Sequence, residues 1–308
     1  MTSIFTDWQP QHASLWGRHP LCLRHSLHEN PLFTREALVD LISRYPREHY
    51  SIIHMGAQQE PERYWKEGDA QGLSGDQVLE AVESGRFWLN LRCTDRVDAR
   101  YASVLAQMFS EIESNTGQSD FPMSSLGILV SSPNAQVYFH SDLPNQSLWQ
   151  VSGQKTVWIY PPSPPFLTGE DLERIAIFEL EVDLKYETWY DEHAIQFELQ
   201  PGQMLHWPLN APHRVTNHDC LNVSVTTEYW ADDARRSHRV NMANGTLRHR
   251  FGLQPRSRST SGAGFFAKSL LNSVISRTGW LEKVRSQTRT IEFELDNQTG
   301  QRDEVASK

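Results

Sequence analysis

The sequence has little cysteine. Cys22, Cys93 and Cys220 are scattered over 308 residues with no Cys-x-x-Cys pair. An odd, sparse set excludes a disulfide framework and a thiolate zinc site, and points to reduced thiols in a cytoplasmic protein. No run approaches the roughly 18 apolar residues that a membrane-spanning helix needs. The opening MTSIFTDWQPQ has no basic stretch followed by an apolar one, so no secretory leader is expected. Positive charge is also in deficit: 29 Lys and Arg face 38 Asp and Glu, for a net charge of −9. That balance argues against a general nucleic-acid binder, whose surface is basic, while leaving room for a local basic groove. No internal repeat or strong low-complexity tract is present. What remains is a chain long enough for one large core or two small ones, with ten Trp as rigid core and pocket material.

Three regions follow from the patterning. Residues 1–120 read as mixed and largely helical. Thr34 is placed to cap a helix running to about Arg44, with Leu38, Val39, Leu41 and Ile42 as its apolar stripe, and Ser74 to cap another from Gly75 to Glu83. RFWLNLRC (86–93) has strand character, and residues 96–114 return to helical spacing. Residues 121–232 consist of short apolar or alternating runs separated by Pro, Gly, Asn and Ser, which predicts a β-sandwich or barrel. An acidic insert at about 167–192 reads as a solvated loop or helix face, with a substrate-facing lid as the other option. Residues 233–308 begin with seven Arg between Arg235 and Arg258. RSRSTSGAG looks like a flexible linker. A helical segment follows with Phe266, Leu270, Val274 and Ile275 along one stripe, expected to dock on the barrel, pair two copies as a homodimer, or lie on a membrane surface, in that order. The polar last dozen residues are expected to lack packed structure.

The central motif is His140-Ser141-Asp142. Alternate residues on a strand share a face, so both side chains can enter a barrel together. A third ligand must come from a distant strand, and His213, in WPLNAPHRVTN, is the best candidate; His206 is a rival better suited to a wall. Two imidazoles and one carboxylate form the facial triad of non-haem iron(II) sites. His-x-Asp or His-x-Glu alone is weak, since thirteen His among 38 acids yield about one or two such matches by chance. The surroundings add weight. Lys155 stands thirteen residues after Asp142, beyond a Ser152-Gly153-Gln154 segment that reads as a hairpin turn. A strand from Lys155 to Tyr160 puts Lys155 on one face with Val157 and Ile159, inside an apolar interior where an ammonium needs an anion.

With these residues in hand, the chain resembles the jumonji-C, cupin-like family of iron(II)- and 2-oxoglutarate-dependent oxygenases. HSDLPNQSLWQVSGQKTVWIYPP (140–162) looks like the first half of such a core, FELQPGQMLHWPLNAPHRVTN (197–217) like the second, and LNVSVTTEYW (221–230) like the closing strand. The spacings are similar to those of the asparaginyl hydroxylase that inhibits the hypoxia-inducible factor. The resemblance covers about 105 residues, is weak before residue 85 and is absent after about 235. It implies a mainly β fold with flanking helices, a double-stranded β-helix (cupin or jelly-roll barrel). It also implies iron(II) on His140, Asp142 and His213, 2-oxoglutarate as cosubstrate with its distal carboxylate on Lys155, and O₂. RFWLNL matches the strand that would bring Trp88 to the cosubstrate and Asn90 to the substrate.

Several positions depart from the family pattern. Trp88 cannot offer a phenol hydroxyl, and Gln146 stands where relatives often carry an Asn near the cosubstrate. Glu228 occupies a position where an amide is common. Facing the iron, it either meets a cationic substrate or disturbs the cosubstrate carboxylate; facing out, as slightly favoured, it is a surface acid. Asn222 and Ser224, on the same strand, are candidates for the pocket wall. The implied reaction is hydroxylation of a peptide or protein side chain. The competing readings are an oxygenase acting on RNA or a small molecule, a non-catalytic metal-binding cupin, and a cupin enzyme that works without 2-oxoglutarate. Lys155 argues against the last.

Overall fold

The structure, a computed structural model, describes residues 3–55, 65–70, 72–119, 121–178, 184–286 and 291–295. Glu179, Glu181 and Asp183 of the acidic insert, and the polar tail, lie outside the described residues.

Helices form where caps and apolar spacing coincide. After the short α1 (His12–Leu15), α2 (Arg35–Ser43) starts at Thr34, whose hydroxyl accepts the Ala37 N–H, and buries Leu38 and Leu41. In α3 (Gly75–Ser84) Ser74 and Gln77 form a reciprocal capping box. The single turn α4 (Thr94–Val97) precedes α5 (Ala99–Thr116), which buries Tyr101, Val104, Leu105, Met108, Phe109 and Ile112 before Gly117 ends it at φ 72°. Beyond the barrel strands lie α6 (Gly169–Phe178), α7 (Asp232–Phe251), α8 (Gly262–Ile275) and α9 (Trp280–Ser286). No helix among the described residues is long and apolar enough to cross a membrane.

The strands are β1 (Leu21–Arg24), β2 (Tyr50–Met55), β3 (Trp65–Asp69), β4 (Phe87–Leu91), β5 (Ser125–Ser131), β6 (Gln136–His140), β7 (Asn145–Ser152), β8 (Lys155–Ile159), β9 (Ile195–Leu199), β10 (Gln203–His206), β11 (His213–Asn217), β12 (Asn222–Tyr229) and β13 (Ile291–Glu294). They form a nine-stranded sheet, β1-β10-β7-β12-β5-β4-β2-β3-β13, and a four-stranded sheet, β6-β11-β8-β9. Every pairing is antiparallel except β13 with β3. This is the expected jelly-roll architecture. The first 120 residues, expected to be largely helical, also supply β1 to β4 of the large sheet.

Period-2 alternation divides the large sheet into two working faces. In β4, Phe87, Leu89 and Leu91 join the main core with α3 and α5, and Leu126, Ile128 and Val130 of β5 do the same. The intervening Trp88, Asn90, Ser125, Gly127, Leu129 and Ser131 face a cavity between the two sheets. Beside it, a smaller core of Leu148, Val157, Ile159, Leu199, Leu205 and Trp207 closes the sandwich.

Four sequence expectations change. The segment around Gly153 is not a hairpin turn: β7 pairs with β10 and β12 whereas β8 pairs with β11 and β9, so the turn carries the chain from one sheet to the other. Gly153 has φ 76°, and a Cβ there would lie 2.2 Å from the Leu221 carbonyl oxygen. The acidic insert is not purely solvated, because Glu173 is wholly buried and ion-pairs with Arg248 at 2.8 Å and with Arg258. The same pairing ties down the segment read as a flexible linker, where Asn244 also donates to the Ser257 carbonyl at 3.2 Å. Finally, α8 packs on α7 through Phe265 and Ile275, leaving Phe266, Leu270 and Val274 exposed at 68%, 69% and 52%. Of the four-residue stripe expected to dock on the barrel, Ile275 is buried and the other three residues face solvent.

Candidate active site

His140 ends β6 and His213 begins β11, and the two pair directly across the strands. Their positions follow from the β-ladder, and their tautomers from the adjacent backbone. His140 Nδ1 lies 2.7 Å from the Tyr138 carbonyl oxygen and His213 Nδ1 lies 3.1 Å from that of Ala211. A proton on each Nδ1 satisfies those carbonyls and makes each Nε2 the lone-pair donor available to a metal. Asp142 closes the group, with Oδ2 at 3.3 Å from His213 Nε2 and Oδ1 at 3.9 Å from His140 Nε2. One ligand atom from each residue falls within 4.8 Å of the other two.

The shorter approach, His213 to Asp142, is not an ion pair between charged groups. Burial holds His213 down to about 4, with the Ala211 carbonyl opposing it, and raises the Asp142 carboxyl, with His140 opposing it. A neutral imidazole lone pair facing a carboxylate oxygen is a meeting of two acceptors. Asp142 Oδ2 is buried and has no hydrogen-bond partner. An arrangement this costly becomes favourable when a cation sits among the three donors. The donor set of two imidazoles and a carboxylate suits iron(II) and leaves coordination positions open. Trp207 packs against the His213 ring, with centroids 4.6 Å apart, and fixes its orientation.

The triad opens into a cavity of about 490 Å³ with chemically different ends. At one end, Lys155 is 3% exposed, and burial pushes its ammonium down to about 7. Lys155 pairs across strands with Asn217. The Asn217 amide donates at 2.8 Å to Ser131 Oγ and at 2.8 Å to the Ser132 carbonyl, and Ser131 sits opposite Trp88 in the ladder. No carboxylate pairs with Lys155 among the described residues. At the other end, Glu228 lies between Ser125 and Gln146 in the ladder and accepts from Gln146 Nε2 at 3.2 Å. Burial pushes its carboxyl up to about 7, reinforced by the charges of Asp142 and Asp95.

The structure thus brings His140, Asp142, His213, Lys155, Trp88, Asn90, Gln146 and Glu228 to one cavity. The favoured outward orientation of Glu228 is overturned: it shares a face of β12 with Thr226, and that face is the inner one. Asn222 and Ser224 are not among the lining side chains. Both are spent on Gln150: its Nε2 donates to Asn222 Oδ1 at 2.7 Å and its Oε1 accepts from Ser224 Oγ at 2.7 Å. His206 is not part of the triad either. It stacks on Trp16 at 3.8 Å, and its Nδ1 lies 2.8 Å from the Gln146 carbonyl oxygen. Sequence reasoning missed Ser131, Asn217 and Trp65. The first two carried a signal, a buried-strand position at the level of Lys155, that only pairing register makes visible.

Residues 76–235 match the model of the cupin-like domain. The chain belongs to that family. Among solved structures, this cupin-like chain is similar to E. coli ycfD, at 14% identity and a TM-score of 0.53, over 93% of this chain and 71% of that one. It is likewise similar to YcfD described as a ribosomal oxygenase from Escherichia coli in complex with cobalt and 2-oxoglutarate. There the identity is 15% and the TM-score 0.51, over 95% of this chain and 74% of that one. At such identities the likeness is one of fold. No curated protein sequence matches the chain.

Proposed function

We propose that this cupin-like protein is an iron(II)- and 2-oxoglutarate-dependent oxygenase that hydroxylates a protein side chain. The observation that carries the reading is the pairing, in one cavity, of a three-donor group whose Asp142 Oδ2 has no hydrogen-bond partner with a buried Lys155 that has no anion, both among the described residues. The structural neighbour described as a ribosomal oxygenase with cobalt and 2-oxoglutarate supports both the cosubstrate and a protein substrate.

When bound, iron(II) with 2-oxoglutarate and O₂ supplies the conversion of a substrate C–H to C–OH, with succinate and CO₂ as coproducts. This chain's residues do the rest. His140, Asp142 and His213 hold the metal on one side. The Lys155 ammonium anchors the distal carboxylate of the cosubstrate, and the Ser131 hydroxyl, polarised by the Asn217 amide it accepts from, donates beside it. Trp88 walls that end and excludes water. Asn90 and Glu228 face the substrate, and Gln146, expected near the cosubstrate, stands beside Glu228 at the end away from Lys155. The exposed α8 ridge of Phe266, Leu270 and Val274 carries no charge and supports a homodimer through the C-terminal helices; Leu270→Ser then yields a monomer by light scattering. Three free cysteines fit a reducing cytoplasm.

The deciding experiment adds iron(II) and 2-oxoglutarate under anaerobic conditions and looks for a weak visible charge-transfer band, then admits O₂ and measures succinate. Both signals disappear in His140→Ala. Iron and 2-oxoglutarate binding without succinate formation would instead favour the non-catalytic cupin.

A further inference from the structure

We infer that Glu228 selects the substrate by charge, so that the group delivered to this cavity is a cation, an ammonium or a guanidinium. This deepens the oxygenase reading and rests on it.

The argument begins with what surrounds the carboxylate. Glu228 projects from β12 into the cavity that holds the triad. Its one side-chain hydrogen bond among the described residues comes from the neutral Gln146 amide, at 3.2 Å. No Lys or Arg pairs with it among the described residues. Arg92, the other cation on the cavity wall, donates instead to the backbone carbonyls of Glu48 and Tyr50. The charged groups that act on Glu228, Asp142 and Asp95, are both acids. Enclosed acids are normally paired or absent, and this chain obeys that rule elsewhere, since Glu173 is buried with an Arg on each oxygen.

Three chemical roles are open to such an acid. It is not a fourth member of the metal group, which consists of His140, Asp142 and His213. It does not anchor 2-oxoglutarate, because a carboxylate repels a carboxylate and Lys155 stands at the other end. What remains is recognition of an incoming cation. A positive substrate group satisfies the lone pairs of Glu228 that Gln146 leaves open and offsets its repulsion from Asp95. A neutral substrate of the same shape leaves a desolvated acid unpaired, so it is rejected by a missing partner rather than by a clash. Gln146 holds the carboxylate in place without neutralising it.

The test uses the full chain loaded with zinc(II) and 2-oxoglutarate, which does not turn over. The probes are the N-acetyl amides of lysine, arginine, norleucine and citrulline, so that each cation has a neutral counterpart of similar shape. Saturation-transfer NMR and calorimetry read binding to wild type, Glu228→Gln and Glu228→Lys, with melting temperatures as the folding control. Wild type is expected to bind each cation at least about tenfold more tightly than its counterpart. Glu228→Gln levels the pairs, and Glu228→Lys rejects both cations. Equal affinities in wild type, no binding of any probe, or a preference that survives Glu228→Gln overturns the inference. Calorimetry of zinc and 2-oxoglutarate in the same samples separates the two claims. If neither binds, the oxygenase reading fails; if both bind and charge selection is absent, only this inference fails.

Discussion

The two ends of the cavity are electrostatic opposites with the same defect. Among the described residues, Lys155 is a buried cation without an anion, and Glu228 is an enclosed acid without a cation. Within one cavity they do not pair with each other: Lys155 stands on β8 of the four-stranded sheet, with the metal histidines, and Glu228 on β12 of the nine-stranded sheet. Burial moves the pKa values toward each other, down to about 7 for Lys155 and up to about 7 for Glu228. A pair built for stability would move them apart. The contrast teaches that each end is complete only with something the chain does not supply, an anion at one and a cation at the other.

The harshest way to break the contrast is to remove the centre. Asp142→Ala leaves two neutral imidazoles, and metal affinity is expected to fall by more than about 100-fold, with succinate formation lost. Metal titration checks this. Next, Lys155→Met removes the anchor at one end. Affinity for 2-oxoglutarate is expected to fall by about 100-fold, the scale of breaking a buried charge pair, whereas the ligand-free protein melts higher because an unpaired ammonium is gone. Calorimetry and thermal melts together test both signs.

A sharper comparison sets two acids side by side, Glu173 in the core and Glu228 on the cavity wall. Glu173→Gln unpairs Arg248 and Arg258 and is expected to destabilise by about 3 kcal/mol. Glu228→Gln, at pH 8, is expected to raise the melting temperature. The same substitution with opposite effects separates a structural acid from a recognition acid.

The pH dependence separates the ends further. The folded state binds the Glu228 proton more tightly than the unfolded chain does, so the stability due to Glu228 is present below the usual Glu value, 4.5, and is lost as pH rises to about 7. Lys155 behaves in the opposite sense. Its share is present above 10.5 and is lost as pH falls to about 7. Melts of the ligand-free protein should show a falling slope in the first window that vanishes in Glu228→Gln, and a rising slope in the second that vanishes in Lys155→Met. The smallest effect is expected from Ser131→Ala, about fivefold in 2-oxoglutarate affinity, the scale of one hydrogen bond of about 1 kcal/mol.

Much of this was legible in the sequence. Thr34 and Ser74 announce α2 and α3 because capping is a local hydrogen bond. His140 and Asp142 read as neighbours on a face because strand alternation is local, and Lys155 with Val157 and Ile159 follows the same rule. Less was legible along β12. Asn222, Ser224, Thr226 and Glu228 share one parity and look equally eligible for the cavity, yet Gln150 from β7 covers the first two and leaves the last two open. The α8 stripe failed for a similar reason. Its periodicity shows that an apolar face exists, but α7 determines which side of the helix is covered, and it takes Phe265 and Ile275.

By itself, then, the sequence determined the β character of the barrel core, the starts of α2 and α3, the candidate metal donors and the sign of the charge at each key position. Those properties rest on backbone stereochemistry and on side-chain chemistry within a few residues. The tertiary structure alone decided which sheet each strand joins, that the chain crosses between sheets at Gly153, and that Lys155 and Glu228 share a cavity without pairing. Burial and charge compensation are set by groups distant in sequence. Whether a charge is satisfied, as in Glu173, or left waiting for a ligand, as in Glu228, is therefore visible only once the chain has folded around it.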